Sequence, residues 1–547
     1  MAYYSTNITT RSSSTPRTPP LLFFFPTVVA FLFLIFCSSA YGSRVGLSSS
    51  QSSSEAEALL KWKATLHNYS NHALRSWKLT SSAIPCKWFG ITCNKAGSVV
   101  EISLPQVELQ GTLDNFTFSS LPNLLSLDLS VNGLTGAIPM HIGCLSKLTH
   151  LDLSNNNLSS VLPPLNNLSS LRYLLLYGNE ISGSIPLEIG NMKNLIDLDL
   201  SQNKLSGQIP HSLANLSNLV SLMLYQNSLV GPIPHSLANI SKLEKLWVND
   251  NQLSGPVPLE IGNMENLIDL ALSQNNLSGQ IPHSLANLSK LVYIHLFENQ
   301  FSGHVPQDFG RHASIVTIQL ADNLLSGILP QQICQGRLLE RFNVETNSLL
   351  GPIPDLRNCT SLRRVRLEKN LLVGNISDSF GVHPHLYYID VSNNRLSGEL
   401  SSNWGECKNL STLKISGNNV GGKIPPEIGQ LTRLGILELS FNKLVGEIPK
   451  ELGSLSALLQ LNLNGNQISG NIPIEISQLI NLELLDLSAN RLTGSIPAQL
   501  GQCSQLFSLN LSRNSLNGSI PSQIGDLASL QAQLDLSHNS FSGQIPP

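Results

Sequence analysis

One short pattern dominates this sequence and recurs along most of its length. Written as LxLxxNxLxG, it matches LDLSVNGLTG at 127–136, and it is still present as LDLSHNSFSG at 534–543. A degenerate first copy, ISLPQVELQG at 102–111, has Val107 in place of the asparagine. Repeats of this length predict a solenoid in which each copy forms one coil. The asparagine returns every 23 to 25 residues, at positions 132, 156, 179, 203, 227, 251, 275, 299, 323, 347, 370, 394, 418, 442, 466, 490, 514 and 539.

The residue types within one repeat indicate how a coil is built. The LxL portion is typical of a short strand whose leucines point inward and whose intervening residues point outward. The asparagine can satisfy turn backbone groups of its own coil and of the next coil, because its amide both donates and accepts. The glycine permits an unusual backbone conformation, and the GxIP that often follows predicts an extended segment. We therefore expect an α/β solenoid of about 19 coils of ~24 residues, with a parallel sheet on its concave side.

Composition and motifs narrow the class of function. The formal net charge is −3 and only 13% of residues are charged, which argues against a nucleic-acid-binding protein with a strongly basic face. The sequence has no CxxC, HExxH, P-loop or G-x-S-x-G motif. The one close histidine pair, His383 and His385, falls in a predicted convex loop. We predict no catalytic activity, no metal site and no cofactor.

The N-terminal segment has the order of a secretory signal peptide. Arg11 and Arg17 precede an apolar run over 21–37, and small residues follow at 38–40. We predict a signal peptide over 1–42 and a flexible Ser-rich linker over 43–54. An uncleaved membrane anchor is the alternative, although the apolar run is at the short limit for a membrane span. No later stretch is apolar enough to span, so membrane attachment would require a segment that is missing from this chain.

The extended pattern LxxLxLxxNxLxGxIPxxLG resembles the plant-specific class of leucine-rich repeat. That class builds the ectodomains of plant receptor-like kinases and receptor-like proteins, and also the polygalacturonase-inhibiting proteins. The stretch EAEALLKWKATL…PCKWFGITCN resembles the N-terminal capping domain of this family, with Trp62, Trp77 and Trp88 as its apolar anchors. The resemblance implies a cap over 55–98 and a right-handed leucine-rich-repeat superhelix over 99–547, incomplete at its C-terminus because the family's second cap is missing.

Cysteine spacing predicts two disulfides. Cys86 and Cys93 are close in sequence within the cap, and Cys334 and Cys359 are one repeat apart. Equivalent positions on adjacent coils can bring Cα atoms within the 4.4–6.8 Å that a disulfide needs. Cys407 lies two repeats from Cys359, which is too far to bridge. We expect the remaining cysteines to be buried thiols on the convex side, at positions 144, 407 and 503.

Several N-x-[S/T] sequons fall where glycans fit, although the repeat itself forces some NLS triplets by chance. We predict glycosylation at Asn115, Asn167, Asn215, Asn239, Asn287, Asn358 and Asn375.

The outward strand positions usually read Asp-x-Ser, and departures from this default cluster between 173 and 368. Exposed aromatic side chains on a concave surface are typical binding anchors. The alternative is neutral variation between coils. The residues predicted to bind a ligand are Tyr173, Tyr177, Tyr225, Trp247, Tyr293, His295, Phe297, Arg341, Arg364 and Arg366.

Arg364 and Arg366 are two residues apart on one strand, so both side chains are expected on the same face. In the receptors that this sequence resembles, an Arg-x-Arg pair reads the free C-terminus of a peptide, and the resemblance implies that role here. Two guanidinium groups can bind a carboxylate by bidentate hydrogen bonds. The alternative is a solvated basic patch paired with Glu345 and Glu368.

The resemblance implies an extracellular receptor ectodomain for a peptide or protein ligand, at the plasma-membrane surface or in the apoplast, with a leucine-rich-repeat kinase as a possible co-receptor. The alternative function is a secreted inhibitor of a foreign cell-wall-degrading enzyme. Nineteen coils favour the receptor, since the inhibitors have fewer repeats.

Overall fold

The computed structural model describes residues 48–67, 73–78, 85–165, 167–311 and 315–545. The signal peptide predicted over 1–42 lies outside these described residues. Within them the repeats form a leucine-rich-repeat solenoid built on one long sheet, as the sequence predicts.

The long sheet contains 20 strands within the described residues. Its first strand is antiparallel to the second, and each of the other strands belongs to one coil and pairs in parallel with its neighbours, as Leu127 pairs with Leu151. This pattern confirms the predicted number of about 19 coils. The strands are Ile91–Cys93, Val99–Ser103, Ser126–Asp128, His150–Asp152, Tyr173–Leu175, Asp197–Asp199, Ser221–Met223, Lys245–Trp247, Asp269–Ala271, Tyr293–His295, Thr317–Gln319, Arg341–Asn343, Arg364–Arg366, Tyr388–Asp390, Thr412–Lys414, Ile436–Glu438, Gln460–Asn462, Leu484–Asp486, Ser508–Asn510 and Gln533–Asp535.

The core runs between this sheet and the opposite side of each coil. Both leucines of an LxL segment are fully buried, as Leu127 and Leu129 illustrate. The same is true of Leu134, which follows the motif asparagine. Because one coil cannot enclose its own leucines, each coil is stabilised by the coils on either side of it.

The motif asparagines form a ladder along the solenoid. The Asn156 amide donates to Leu153 O and Ser154 O of its own coil and to Leu129 O of the coil before it. Its Oδ1 accepts from Leu134 N of that preceding coil, at 3.0 Å. The predicted bridging role is therefore confirmed, but its direction is different: the side chain serves the preceding coil and not the next one.

A second row of short strands follows the asparagine and leads into the glycine. Gly136 adopts φ +81°, a left-handed conformation that glycine reaches without strain. These strands are Gln110–Thr112, Gly133–Gly136, Asn157–Val161, Glu180–Ser184, Lys204–Gly207, Ser228–Gly231, Gln252–Gly255, Asn276–Gln280, Gln300–His304, Leu324–Ile328, Ser348–Leu350, Val373–Asn375, Arg395–Ser397, Val445–Gly446, Gln467–Gly470, Arg491–Leu492, Asn517–Gly518 and Ser540–Phe541.

The side opposite the long sheet is formed by single-turn helices. Pro139 is extended, with φ −67° and ψ 138°, and its carbonyl accepts from Ile142 N to start the turn. One short α-helix, Ile376–Ser379, replaces the usual 3-10 turn in its coil. The 3-10 helices are Pro85–Lys87 in the cap and, in the coils, Phe118–Ser120, Met140–Cys144, Leu187–Asn191, His211–Asn215, His235–Asn239, Leu259–Asn263, His283–Asn287, Ser402–Glu406, Pro426–Gln430, Lys450–Ser454, Ile474–Gln478, Ala498–Gln502 and Ser522–Asp526.

The cap begins with a helix over Ser48–Lys63. Residues 48–54, which we expected to be flexible linker, are therefore helical. Buried Glu55, in the middle of this helix, ties the helix to the sheet, because its carboxylate accepts from Ser98 Oγ and from Val99 N at the start of the second strand. Burial raises the pKa of this carboxyl group, although both hydrogen bonds oppose the rise.

Three tryptophans seal the first coil, as predicted. Trp62, Trp77 and Trp88 are buried, and the Trp62 ring stacks on Phe116 with centroids 4.5 Å apart. The indole N–H of Trp62 donates to Thr112 O, and that of Trp77 donates to Phe89 O. Each of these two buried indoles thus has an acceptor, and the ring stacking covers apolar surface that the first coil would otherwise expose.

Both predicted disulfides are present. Cys86 and Cys93 are bridged with Cα atoms 5.4 Å apart, and Cys334 and Cys359 with Cα atoms 5.9 Å apart. Cys407 and Cys503 are buried free thiols, as expected. The expectation for Cys144 is wrong, because this cysteine is disulfide-bonded.

Candidate functional site

The solvent face of the long sheet carries side chains from fixed positions in each coil. We number these from the first strand residue, so that Tyr173, Leu175 and Tyr177 occupy positions 1, 3 and 5. Pairing is in register, so each position forms a column that crosses the coils. All predicted ligand-binding residues lie in these columns. Position 1 holds Tyr173, Tyr293, Arg341 and Arg364, position 3 holds Trp247, His295 and Arg366, and position 5 holds Tyr177, Tyr225 and Phe297.

The aromatic residues do not form one continuous cluster. Tyr173 lies near His150, with centroids 5.5 Å apart. Three strands further along, Trp247 meets the edge of Tyr225 at 6.0 Å, and Lys245 Nζ lies 6.0 Å from the Trp247 ring. Each group is local to one or two neighbouring coils. The structure therefore resolves the predicted aromatic stripe into separate patches.

Carboxylates stand beside the tryptophan patch. Burial raises the pKa of Asp269, and His295, Trp247 and Lys245 oppose that rise. Burial raises the pKa of Asp197 as well, while Ser221 and Lys245 oppose the shift. This part of the face is therefore acidic and aromatic, with one lysine.

A third patch lies beside the strands Arg341–Asn343 and Arg364–Arg366, which we call the arginine strands. Tyr293 and His295 have parallel rings with centroids 6.5 Å apart, and Tyr293 is exposed. The imidazole Nδ1 of His295 lies 2.9 Å from Gln319 Oε1, which fixes the ring orientation.

Beside that patch lies a cavity of about 400 Å³, within the range of small-ligand sites. It brings together four of the predicted residues, Phe297, Arg341, Arg364 and Arg366. Tyr173, Tyr177, Tyr225 and Trp247 do not contribute to it. Its other lining residues are Glu298, Gln319, Ala321, Asp322, Asn343, Glu345 and Tyr387.

Arg366 is held by two buried carboxylates. Its Nη1 lies 2.6 Å from Glu345 Oε1, and its Nη2 lies 2.5 Å from Glu368 Oε1. Burial raises the pKa of Glu345 to about 7, against the opposing influence of Arg366. Burial also raises the pKa of Glu368, and nearby Asp390 adds to that rise. The alternative prediction for the Arg-x-Arg pair, a solvated basic patch paired with Glu345 and Glu368, named the right partners of Arg366. It is wrong about their surroundings, because both carboxylates are buried.

Arg364 has different surroundings. Its guanidinium lies over the ring of Tyr388, with Cζ 4.7 Å from the centroid. Its Nε is buried and makes no hydrogen bond within the described residues. Cation–π contact leaves the edge of a guanidinium available to acceptors. The two arginines of the Arg-x-Arg pair are therefore not equivalent.

Sequence reasoning missed several residues near this cavity. Tyr387 and Tyr388 lie just before an ordinary Asp-x-Ser segment. Their coil therefore does not stand out as a departure from the usual pattern. Glu298 and Asp322 occupy position 6, directly before the motif asparagine, which lies outside the outward positions of the Asp-x-Ser pattern. Phe441 is also at position 6, is 63% exposed and has φ +50°. A phenylalanine directly before the motif asparagine, where many other coils have Asn, Gln, Asp or Gly, is the sequence signal that could have identified it.

The histidine pair has a structural role at its first member. His383 is fully buried, its Nδ1 lies 3.1 Å from Cys359 O, and its backbone N–H donates to Cys407 Sγ. Burial lowers the pKa of His383, although the hydrogen bond with the Cys359 carbonyl opposes this shift. The described residues contain no group of three or more acidic, histidine or cysteine side chains that could hold a metal ion. Nor does any described helix have the length and apolar character of a membrane span.

The seven asparagines predicted to carry glycans are all exposed. Asn375 also caps the short helix that follows it, by accepting from Ser377 N. Glycosylation at these positions stays a prediction.

Family models match most of the repeat array and the cap. Models of leucine-rich repeats match residues 102–158, 156–333, 385–407, 409–431, 457–479 and 480–541. A model of the leucine-rich-repeat N-terminal domain matches residues 52–94.

A probable leucine-rich repeat receptor-like protein kinase of Arabidopsis thaliana is 41% identical over 117 residues, which are 21% of this chain and 10% of that protein. The match thus spans about a tenth of the length of this curated relative. The GASSHO1/SCHENGEN3 receptor kinase ectodomain of Arabidopsis thaliana, solved in complex with CASPARIAN STRIP INTEGRITY FACTOR 2, has a TM-score of 0.77 at 36% identity, over 90% of this chain and 62% of that one.

The Arabidopsis receptor kinase HAESA was solved with the peptide hormone IDA and the co-receptor SERK1. It has a TM-score of 0.70 at 32% identity, over 90% of this chain and 91% of that one. Fold, cap and repeat class together define a leucine-rich-repeat ectodomain. The chain belongs to the family of plant leucine-rich-repeat receptor ectodomains.

Proposed function

We propose that this chain is the extracellular ligand-recognition module of a plant cell-surface receptor, and that it binds a peptide on the solvent face of the long sheet. The observation that carries the proposal is the likeness over nine-tenths of the HAESA chain that was solved with a peptide hormone. The exposed aromatic and arginine residues of 293–366 support it, because side chains of this kind dominate binding interfaces.

In this proposal the chain itself performs no catalysis. It presents the ligand complex to a second leucine-rich-repeat receptor, which acts as co-receptor in the way that SERK1 does for HAESA. The chain works in the secretory pathway and at the outer face of the plasma membrane. The Arg364 and Arg366 strand binds the free C-terminal carboxylate of the peptide.

The experiment measures peptide binding by the secreted protein and by two variants. Selection from a library of random dodecapeptides with free C-termini supplies the probes, and calorimetry gives their affinities. Tyr293→Ala should weaken binding about thirtyfold, since truncating an interface anchor costs about 2 kcal/mol. Phe507→Ala is the matched control, because this ring is 50% exposed but lies on a distant coil. Equal losses in both variants, or none in Tyr293→Ala, would place binding elsewhere.

A further inference from the structure

A second cavity lies along the edge of the long sheet, away from the solvent face that carries the predicted binding residues. Its volume is about 510 Å³. Two columns of side chains form it, one directly before position 1 and one three residues before position 1, on the four coils from Tyr173–Leu175 to Lys245–Trp247. We call this cavity the edge groove, and its lining residues are Ser170, Arg172, Asn194, Ile196, Asn218, Val220 and Lys242.

The charged residues of the edge groove are all cations. Arg172 and Lys242 lie at its two ends, three coils apart, which is about 14 Å at the usual spacing of strands. Both side chains are exposed, and neither has an ion-pair partner within the described residues. Glu244, which follows Val220 in its column, does not line the groove and limits the positive region on that side. The edge groove therefore favours a ligand with anionic groups spread along the direction of the coils.

Neighbouring side chains hold the two cations in place. Lys242 Nζ donates to Asn218 Oδ1 at 2.8 Å, and Asn218 Nδ2 donates in turn to Lys193 O at 3.0 Å. The guanidinium of Arg172 lies 5.9 Å from the centroid of the Tyr173 ring. An ammonium group has three donors and a guanidinium has five, so both cations keep donors for an anion.

The floor between the cations is apolar, and its backbone is already paired. Ile196 and Val220 are half-buried and expose part of their apolar surface. Ile196 N donates to Arg172 O, Val220 N donates to Ile196 O, and Val220 O accepts from Glu244 N, each at 2.8 Å. A peptide laid along this floor would lose water from its own amides without gaining backbone partners, which costs free energy. A sugar ring suits the floor better, because it has C–H groups on its faces and hydroxyl groups at its rim.

We propose that the edge groove binds an extended acidic polysaccharide built of uronate rings. The rings lie on Ile196 and Val220, and their carboxylates bind Arg172 and Lys242 by charge-assisted hydrogen bonds. Hydroxyl groups at the ring rims bond to the amides of Asn194 and Asn218, which line the same groove. Because such a chain carries a carboxylate on each ring, one segment can reach both cations.

This inference goes beyond the proposed function. None of the residues predicted to bind a peptide lines the edge groove. The protein can therefore hold a polysaccharide at the edge of the sheet while the solvent face remains open to a peptide.

The test measures binding of decagalacturonate to the secreted protein by calorimetry. The fully methyl-esterified form of the same oligosaccharide has the rings and the hydroxyl groups but no charge. Polyglutamate of equal charge has the anions but no rings. We expect decagalacturonate to bind at least tenfold more tightly than either comparator. Added salt should weaken its binding, because exposed charges are screened.

A double variant assigns the binding to the edge groove. Arg172→Gln combined with Lys242→Gln removes both cations, and the fold should be unaffected because both side chains are exposed. This variant should bind decagalacturonate at least tenfold more weakly. Its affinity for peptides selected on the unmodified protein should not change.

The matched control removes the same number of charges from other coils. Arg433→Gln combined with Lys450→Gln serves this purpose. Arg433 is the equivalent of Lys242 in its coil and donates to Asn409 Oδ1 at 2.6 Å, but the residue directly before position 1 there is Gly435, which provides no apolar floor. This control should bind decagalacturonate as the unmodified protein does.

The outcomes separate this inference from the proposed function. Absence of decagalacturonate binding, or equal binding of either comparator, would overturn the inference and leave peptide recognition in place. Equal losses in the two double variants would also overturn it, because overall charge would then explain the binding. Loss of peptide binding in Arg172→Gln/Lys242→Gln would overturn the assignment of the edge groove as a separate site.

Discussion

The Asp-x-Ser strands and the arginine strands occupy the same positions of the long sheet, yet they satisfy their polar groups differently. Asp152 accepts from the backbone N–H and the hydroxyl of Ser154, so the pair is complete within one strand. Arg366 instead joins Glu345 of the preceding coil to Glu368 of its own, and acceptor oxygens are left over. A self-contained pair can be repeated in any coil without reference to its neighbours. The arginine strands depend on their neighbours, and this dependence is the mark of a specialised region.

Removing Arg366 should produce the largest effect. Arg366→Ala leaves two buried carboxylates without their counter-charge, and breaking a buried ion pair costs about 3–5 kcal/mol. Thermal unfolding and hydrogen exchange of the strands at 341–343 and 388–390 measure this loss. The triple change of Arg366, Glu345 and Glu368 to Gln removes the whole charged unit and should recover most of the stability. A triple variant no more stable than Arg366→Ala would contradict this description.

The pH dependence of stability should follow from Glu345. The pKa of Glu345 is about 7 in the folded chain, against 4.5 for an unperturbed glutamate. The folded state therefore holds this proton more tightly than the unfolded state does. The stability that results is fully present below pH 4.5 and is lost as pH rises through 7. Between pH 5 and pH 8 the protein should lose on the order of 1–3 kcal/mol from this group. Glu345→Gln should show a shallower decline of the melting temperature. An equal slope in both proteins would remove Glu345 as the cause.

The Asp-x-Ser strands should tolerate change better. Ser154→Ala removes one hydroxyl hydrogen bond to Asp152 and keeps the backbone one, so the expected loss is about 1 kcal/mol. Because the site lies far from Arg366, the two substitutions should add in the double variant. Coupling of more than about 0.5 kcal/mol in a double-mutant cycle would mean that the two regions are not independent.

The smallest effect on stability should come from replacing Phe441, and this replacement should increase the stability. The equivalent residues Asn155 and Asn393 have the same left-handed backbone, which asparagine tolerates better than phenylalanine. Phe441→Asn should therefore raise stability by roughly 0.5–1 kcal/mol, reduced by the lost contact with Gly465. Chemical denaturation followed by circular dichroism measures this change in the free energy of unfolding. A clear loss of stability would show that the ring contributes more packing than strain.

The fold could be predicted because every coil repeats the same physical requirements. The leucines of LxL, the asparagine ladder and the extended proline could each be inferred from one repeat, as Leu127, Asn132 and Pro139 show. The direction of the ladder could not be inferred, because the sequence does not say which neighbour an amide reaches. The helix at Ser48 was missed for a similar reason, since a serine run carries no apolar period. The contacts that support the helix, such as those of Glu55 with Ser98 and Val99, come from residues distant in the sequence.

The site was predicted only in part. Outward positions follow from strand periodicity, so Arg341, Arg364 and Phe297 could be placed on the solvent face. Periodicity does not report partners, however, and the capture of Arg366 by two buried acids depends on contacts between coils. Position 6 was missed because it lies in the turn, where neither strand nor helix period applies.

The asparagine ladder bears on how such a chain lengthens during evolution. Because each asparagine completes the coil before it, a block of whole coils carries its own bonds and needs only one matching neighbour on each side. The stretch GNMKNLIDLDLSQN at 190–203 returns as GNMENLIDLALSQN at 262–275, 72 residues or three coils later. Duplication of such a block inserts no unsatisfied junction. Each column of outward side chains can therefore gain several members in a single genetic event, and these residues can diverge afterwards without loss of the fold.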